Sequence, residues 1–154
     1  MIRLKSTLVA VAVVAAAPLP AAAQSSVQVG TLACNLAPSI GLIVGSRQRM
    51  TCTFSKADGF RETYRGTVTR IGLDLGFTAG GRMVWGVLAK TQGVRKRALA
   101  GTYVGASGDI GFGFGVGANA LIGGNNRSIA LQPLSVSGQV GVNLALGVAG
   151  LRLQ

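Results

Sequence analysis

The chain has 154 residues, a length that suits one domain. Lys and Arg total 15 against 4 Asp and Glu, so the formal net charge is +11, and the sequence contains no histidine. Without histidine, histidine-dependent acid–base catalysis, Ser-His-Asp triads and histidine-ligated metal sites are excluded. The 24 glycines disfavour long helices.

The first 23 residues have the features of an export signal. Arg3 and Lys5 precede an apolar run of 10 residues from Leu8 to Ala17, and a small-residue cleavage site ends at Ala23. The alternative is a membrane anchor, but this run is half of the roughly 20 residues that a spanning helix needs. We therefore expect a signal peptide over residues 1–23 and a single exported β domain over residues 24–154.

Two cysteines, Cys34 and Cys52, lie in the exported part. They are an even number in a compartment where thiols oxidise, and only one pairing between them exists. A redox-active pair is the alternative, but no CxxC spacing is present and no neighbouring residue should obviously lower a thiol pKa. The sequence predicts a structural disulfide that stabilises the fold by about 3 kcal/mol.

Alternation of apolar and polar residues with period two runs through the rest of the chain. Met50, Cys52 and Phe54 alternate with polar residues, so this segment should be a strand with one buried side. The same pattern predicts strands at 27–34, 48–55, 64–77, 82–89, 99–107 and 128–131, and one long or two shorter strands over 134–149. Polar and basic residues 91–98 should form a connection, and Pro133 should mark an edge, a bulge or a strand end.

Every second residue from Ile110 to Ala118 is apolar and the residues between them are glycine. As a strand, this segment has apolar side chains on one face and bare backbone on the other. Gly113–Ala118 also matches a dinucleotide-binding pattern, but no acid follows Asp109, so we expect no cofactor.

These features together predict an all-β fold. We expect eight to ten short, mostly antiparallel strands that form a compact β-sandwich or a small closed β-barrel with one disulfide.

The four acids give little basis for catalysis. Asp58, Glu62 and Asp109 have ordinary structural interpretations in turns or among basic residues. Asp74, between two leucines, needs a cationic partner if it is buried, and Arg70 and Arg82 are the candidates. We expect no catalytic residues, no metal site and no enzymatic activity.

The basic residues are the candidate binding groups. Arg95, Lys96 and Arg97 form a run in a connection, and Arg49 and Arg65 belong to an outward row. That row comprises Arg47, Arg49, Arg61, Arg65 and Arg70. Its positive field suits anionic lipid head groups, lipopolysaccharide phosphates or acidic polymers, although excess charge also keeps a glycine-rich protein dissolved. Nucleic acid is not an expected partner, because the chain is exported and stacking aromatic residues are few.

Five stretches of the chain are the basis of a family resemblance: VGTLAC (29–34), GLIVGS (41–46), MTCTF (50–54), AGTYVGA (100–106) and IALQPLS (129–135). They resemble an uncharacterised family of small exported bacterial proteins, domain of unknown function 992. The resemblance implies an alphaproteobacterial envelope protein and supplies no activity and no site residues. We expect a periplasmic or outer-membrane-associated protein that binds an anionic or amphipathic envelope component without catalysis.

The alternative function is a small integral outer-membrane β-barrel, since eight strands of about ten residues fit this length. The sequence has 8 aromatic residues, few for two interfacial girdles, and it ends in Leu-Arg-Leu-Gln rather than in an aromatic residue.

Overall fold

The structure is a computed structural model that describes residues 26–41, 46–70, 76–78, 80–106, 115–116, 119–137 and 148–154. The predicted signal peptide, Asp74, Asp109 and most of the glycine-alternating segment lie outside the described residues.

The described residues form ten strands and one short 3-10 helix. The strands are β1 (Val27–Leu36), β2 (Ser39–Gly41), β3 (Ser46–Ser55), β4 (Arg61–Arg70), β5 (Gly76–Thr78), β6 (Gly81–Ala89), β7 (Gly101–Gly105), β8 (Leu121–Gly123), β9 (Ile129–Ser137) and β10 (Val148–Leu153). The 3-10 helix spans Asn125–Arg127, between β8 and β9.

Eight of these strands close into a barrel in the order β1-β3-β4-β10-β7-β8-β9-β6. Every pairing between neighbouring strands is antiparallel, including the β1–β6 pairing that closes the barrel. β2 and β5 pair with each other in a separate two-stranded sheet. The prediction of an antiparallel all-β fold is confirmed, and of its two forms the chain adopts the closed barrel.

Residue alternation determines which side chains fill the barrel. On β3, the even-numbered residues from Gln48 to Phe54 are buried, while Arg47, Arg49 and Thr51 are exposed. Most of the other strands alternate in the same way, whereas all three residues of β8 are buried. The largest buried side chains include Leu32, Phe54, Tyr64, Met83, Trp85 and Tyr103. Each fully buried apolar side chain stabilises the fold by about 1.5–3 kcal/mol, so the packed interior is the main source of stability.

Cys34 and Cys52 lie directly opposite each other on β1 and β3 and form a disulfide. Their Cα atoms are 3.9 Å apart, and both side chains are fully buried in the barrel. The predicted pairing is confirmed, and it joins the first two strands of the barrel.

Pro133 lies at an irregularity in β9. Trp85 pairs with Pro133 and Val84 pairs with Ser135, so Leu134 is an extra residue on β9. Such a bulge reverses the alternation beyond it. Leu134 is 53 % exposed, so this extra residue does not contribute to the barrel interior.

The last strand, β10, lies between β4 and β7. Leu151 and Leu153 point into the barrel, and Arg152 between them is exposed. The alternation recognised in the sequence ended at residue 149, so this strand was missed.

Gly66 on β4 lies at a position with no room for a side chain. A Cβ atom there would overlap the backbone carbonyl oxygen of Arg152 and press against side chains of Met50 and Leu153. We expect Gly66→Ala to lower the free energy of unfolding by about 1–3 kcal/mol. Gly105→Ala is the matched control, because a Cβ atom at Gly105 on β7 meets nothing within 4 Å. Urea denaturation of both variants measures the difference, and equal stabilities would contradict the packing described for Gly66.

Candidate anion-binding surface

The outward side chains of β3, β4, β10 and β7, four neighbouring strands, form one continuous surface that we call the arginine–threonine face. Its exposed cations are Arg47, Arg49, Arg61, Arg65 and Arg152. The structure thus places Arg49 and Arg65, two of the predicted site residues, on the same side of the barrel. Arg70 ends β4, and its side chain lies outside what the structure describes.

Strand register places threonines beside the arginines of this face. Arg49 pairs with Thr67, which pairs in turn with Arg152, and Arg152 pairs with Thr102. Arg47 pairs with Thr69 in the neighbouring row of outward residues, which lies closer to the barrel end with β2 and β5. In the row that contains Arg49 and Arg152, arginine and threonine therefore alternate from strand to strand around the barrel.

This alternation reduces repulsion between the arginines. Like charges directly opposite each other on neighbouring strands destabilise a sheet, whereas diagonal neighbours are about 7–8 Å apart. Arg49 and Arg65 are diagonal neighbours, and Arg49 and Arg152 are separated by the whole of β4, about 10 Å. Guanidinium groups at this spacing suit an extended anion or several separate anionic groups.

A shallow groove of about 620 Å³ runs along β10 within this face. Arg47 and Arg152 line it, together with hydroxyl-bearing Thr67, Thr69 and Thr102. Gly150 has no side chain to fill the groove, and Val104, which is 50 % exposed, adds an apolar surface. The groove therefore combines cationic, hydrogen-bonding and apolar groups. An amphipathic anion has a charged part and an apolar part that these groups can bind.

The two acids that the structure describes make structural contacts away from this groove. Asp58 accepts a 2.9 Å hydrogen bond from the Phe60 amide and lies 3.3 Å from the ammonium group of Lys56. The Phe60 hydrogen bond and the lysine hold the pKa of Asp58 below its ordinary value. Asp58 is therefore a turn residue, as the sequence indicated.

Glu62 joins the connection between β6 and β7 to the beginning of β4 through hydrogen bonds. Its two carboxylate oxygens each accept a 3.1 Å hydrogen bond from the backbone amide of Arg97, and one also accepts from the hydroxyl of Tyr64. The Arg97 guanidinium donates to the carbonyl oxygen of Thr63 at 3.3 Å and lies 4.8 Å from the centre of the Tyr64 ring. Arg97 thus has a structural role in this contact network, which we call the Glu62 latch.

Arg95 and Lys96 lie on the same connection, next to the latch, and both are exposed. This connection and the 124–128 turn lie together at the end of the barrel opposite β2 and β5. The five predicted anion-binding residues therefore separate into Arg49 and Arg65 on the arginine–threonine face, Arg95 and Lys96 at the barrel end, and Arg97 in the latch.

A family model described as "Protein of unknown function (DUF992)" matches residues 12–154. The chain belongs to this family. The comparisons with curated proteins and with solved structures found no match.

In this DUF992 chain, Arg152 is the face residue that sequence reasoning missed. The available signal was the short alternation Leu151-Arg152-Leu153, which has one polar residue between two apolar ones. Its position beside Thr67 depends on the pairing of the last strand with β4, which local alternation does not determine.

Two further features of the DUF992 chain bear on its chemistry. Within the described ranges, no three His, Cys, Asp or Glu side chains group closely enough to hold a metal ion. The described segments also include no helix with the length and hydropathy needed to cross a membrane.

Both tyrosines of the chain are buried, and burial raises the pKa of each phenol above its ordinary value of 10.0. For Tyr64, the hydrogen bond to Glu62 raises the pKa further. The phenols of the unfolded chain lose their protons at a lower pH than the buried phenols of the folded barrel. The contribution of the protonated phenols to the free energy of unfolding is therefore complete below pH 10 and is lost as the pH rises above it.

We therefore expect the stability of the DUF992 barrel to fall steadily above about pH 10. Denaturation midpoints measured from pH 8 to 12 check this expectation. Tyr103→Phe removes one phenol, along with its 2.8 Å hydrogen bond to the Leu99 carbonyl oxygen, and should reduce the slope. An unchanged slope in this variant would contradict the assignment to buried tyrosine.

Proposed function

We propose that this chain is a non-catalytic, exported protein of the bacterial envelope that binds an anionic head group, from a lipid or from lipopolysaccharide, on its arginine–threonine face. The observation that carries the proposal is the row Arg49-Thr67-Arg152-Thr102, with Arg47 and Arg65 beside it. Arginine binds phosphate oxygens through two parallel N–H groups, and threonine hydroxyls add further hydrogen bonds.

The groove along β10 supports an amphipathic ligand rather than a small anion. Its volume of about 620 Å³ exceeds that of a single phosphate, and Val104 gives it an apolar surface. A lipid head group with the first part of its acyl chain has both kinds of surface.

The arginine side chains point away from the barrel interior. This favours attachment to a membrane surface over the alternative, an integral outer-membrane barrel. An integral barrel turns apolar residues toward lipid, and an outward arginine at the bilayer midplane costs about 2–4 kcal/mol. Arg49 and Arg65 lie well inside their strands and point outward, while the apolar residues of the same strands fill the barrel. Release of the protein by carbonate washing of envelopes distinguishes surface attachment from integration.

The non-catalytic part of the proposal rests on the chemistry of the chain. Histidine is absent from the sequence, and the described acids, Asp58 and Glu62, form hydrogen bonds to nearby groups. The export part rests on the features of residues 1–23.

Vesicle co-sedimentation tests the proposal. We expect the mature protein to bind vesicles that contain anionic lipid or lipopolysaccharide at low salt and to leave zwitterionic vesicles unbound. Because the attraction is electrostatic and exposed, binding should weaken strongly between about 0.01 and 0.15 M salt. Equal binding to zwitterionic and anionic vesicles, or no binding to either, would overturn the proposed function.

A further inference from the structure

A second cluster of cations lies at the end of the barrel, apart from the arginine–threonine face. A pocket of about 500 Å³ opens there between the 90–100 connection and the 124–128 turn. Lys90, Arg95 and Lys96 line it, and all three are exposed. No acidic residue is among the described residues that line this pocket, so its lining carries three basic residues and no acid.

The other lining groups are polar and suited to oxygen ligands. Thr91, Asn125, Asn126 and Ser128 surround the cations, with Val94, Ala98 and Ile129 providing apolar surface. The hydroxyl of Ser128 donates to the Asn125 carbonyl oxygen at 2.7 Å, a hydrogen bond within the turn that forms one wall of the pocket.

The two walls of the pocket are fixed in position before any ligand binds. The amide of Asn125 donates to the carbonyl oxygen of Ala98 at 3.3 Å, which ties the turn to the connection. Leu99 anchors the connection in the core, and the Glu62 latch holds the amide of Arg97 beside Lys96. Binding therefore needs little ordering of the backbone, which favours affinity.

The backbone around the pocket is also held in an unfavourable conformation. Asn126 and Arg127 have φ values of +57° and +52°, and Arg97 has +61°, in the left-handed region that non-glycine residues rarely adopt. Such conformations cost free energy and persist where the surrounding structure imposes them.

We propose that this pocket binds a terminal phosphate group, a phosphate monoester. Arg95 can contact two phosphate oxygens at once, while Lys90 and Lys96 act as point charges that together match a dianion. The volume lies within the range of small-molecule sites and leaves room for the esterified group beside the asparagines. The ester is either a soluble molecule or a lipid head group, and the two sources share this chemistry.

Isothermal titration calorimetry on the mature protein, in a phosphate-free buffer of fixed ionic strength, tests the proposal with inorganic phosphate and glycerol 3-phosphate. Vesicles of phosphatidic acid, whose phosphate is a monoester, provide the lipid arm. Vesicles of phosphatidylglycerol, whose phosphate is a diester, are their control. Saturable binding of the soluble probes supports a soluble phosphate ester as the ligand. If only phosphatidic acid vesicles bind, and if this binding is lost when the pocket cations are removed, a lipid head group is the ligand.

Two double variants with the same change in net charge show where binding occurs. Arg95→Gln with Lys96→Gln removes the pocket cations, and Arg49→Gln with Arg152→Gln removes two cations of the arginine–threonine face. All four residues are exposed, so both variants should keep the stability of the parent protein. We expect the first pair to weaken binding of inorganic phosphate and glycerol 3-phosphate by about tenfold or more. The second pair, which lowers binding to anionic vesicles through the arginine–threonine face, should leave binding of these soluble probes nearly unchanged.

Three outcomes would overturn the pocket proposal. They are no saturable binding of any monoester probe, an equal loss in both double variants, and pocket-dependent binding that does not distinguish phosphatidic acid from phosphatidylglycerol. None of these outcomes bears on the proposed function, which is tested separately by comparing the binding of anionic and zwitterionic vesicles and by the loss of anionic-vesicle binding in the face variant.

Discussion

Arg49→Glu combined with Arg152→Glu should abolish binding of the protein to anionic vesicles. The two residues flank Thr67 in one row at the centre of the arginine–threonine face. A basic residue near an anionic membrane surface contributes about 1 kcal/mol, and a reversed charge adds repulsion of similar size. The double variant should therefore lose about 4 kcal/mol of binding free energy, roughly a thousandfold in affinity.

Arg82→Glu is the matched control for the single variant Arg152→Glu. Arg82 is exposed on β6, which lies directly across the barrel from β10, and the two substitutions change the net charge equally. Co-sedimentation at several salt concentrations should show a clear loss for Arg152→Glu and little change for Arg82→Glu. If both variants lose the same affinity, net charge rather than the face is responsible, and the proposed site is wrong.

Replacing both disulfide cysteines, Cys34 and Cys52, with alanine should destabilise the barrel by about 2–5 kcal/mol. The bond closes a loop of 18 residues in sequence and ties β1 to β3, so its loss frees the unfolded chain. Both cysteines are fully buried, and the missing sulfur atoms also leave space in the core. The melting temperature should fall by about 10 °C or more.

Reduction of the wild-type protein is the control that separates these two contributions. It breaks the bond but keeps both sulfur atoms in the core, so it should destabilise the protein less than the alanine pair does. Thermal denaturation with and without reductant measures the difference. Identical melting curves for the oxidised and the fully reduced protein, with the thiol state checked by mass, would contradict a stabilising role for the disulfide.

Much of the barrel follows from local alternation in the sequence. The buried and exposed sides of β3 were predicted correctly, because Met50, Cys52 and Phe54 alternate with polar residues. In a strand, successive side chains point to opposite faces, so this alternation determines which side each residue faces. The disulfide was predictable from two cysteines in a chain with a predicted signal peptide. Barrel and sandwich remained equal alternatives, because closure depends on the pairing of β1 with β6 and on the insertion of β10, both long-range contacts.

The candidate site was predictable only in part, for the same reason. Alternation placed Arg49 and Arg65 outward, but their row with Arg152 exists only once β10 pairs with β4. The latch that holds Arg97 joins it to Glu62, 35 residues away in sequence, and no local pattern indicates that contact. Pro133 indicated an edge, a bulge or a strand end, and the structure has a bulge there that leaves Leu134 exposed.

Amide chemical shifts measured during a titration with anionic lipid micelles report on each strand separately and so locate the binding surface. We expect the largest shifts at residues of the arginine–threonine face, such as Thr67, Thr102 and Gly150, and little change on β6. Shifts of equal size around the whole barrel, or shifts concentrated on β6 and β9, would contradict this expectation.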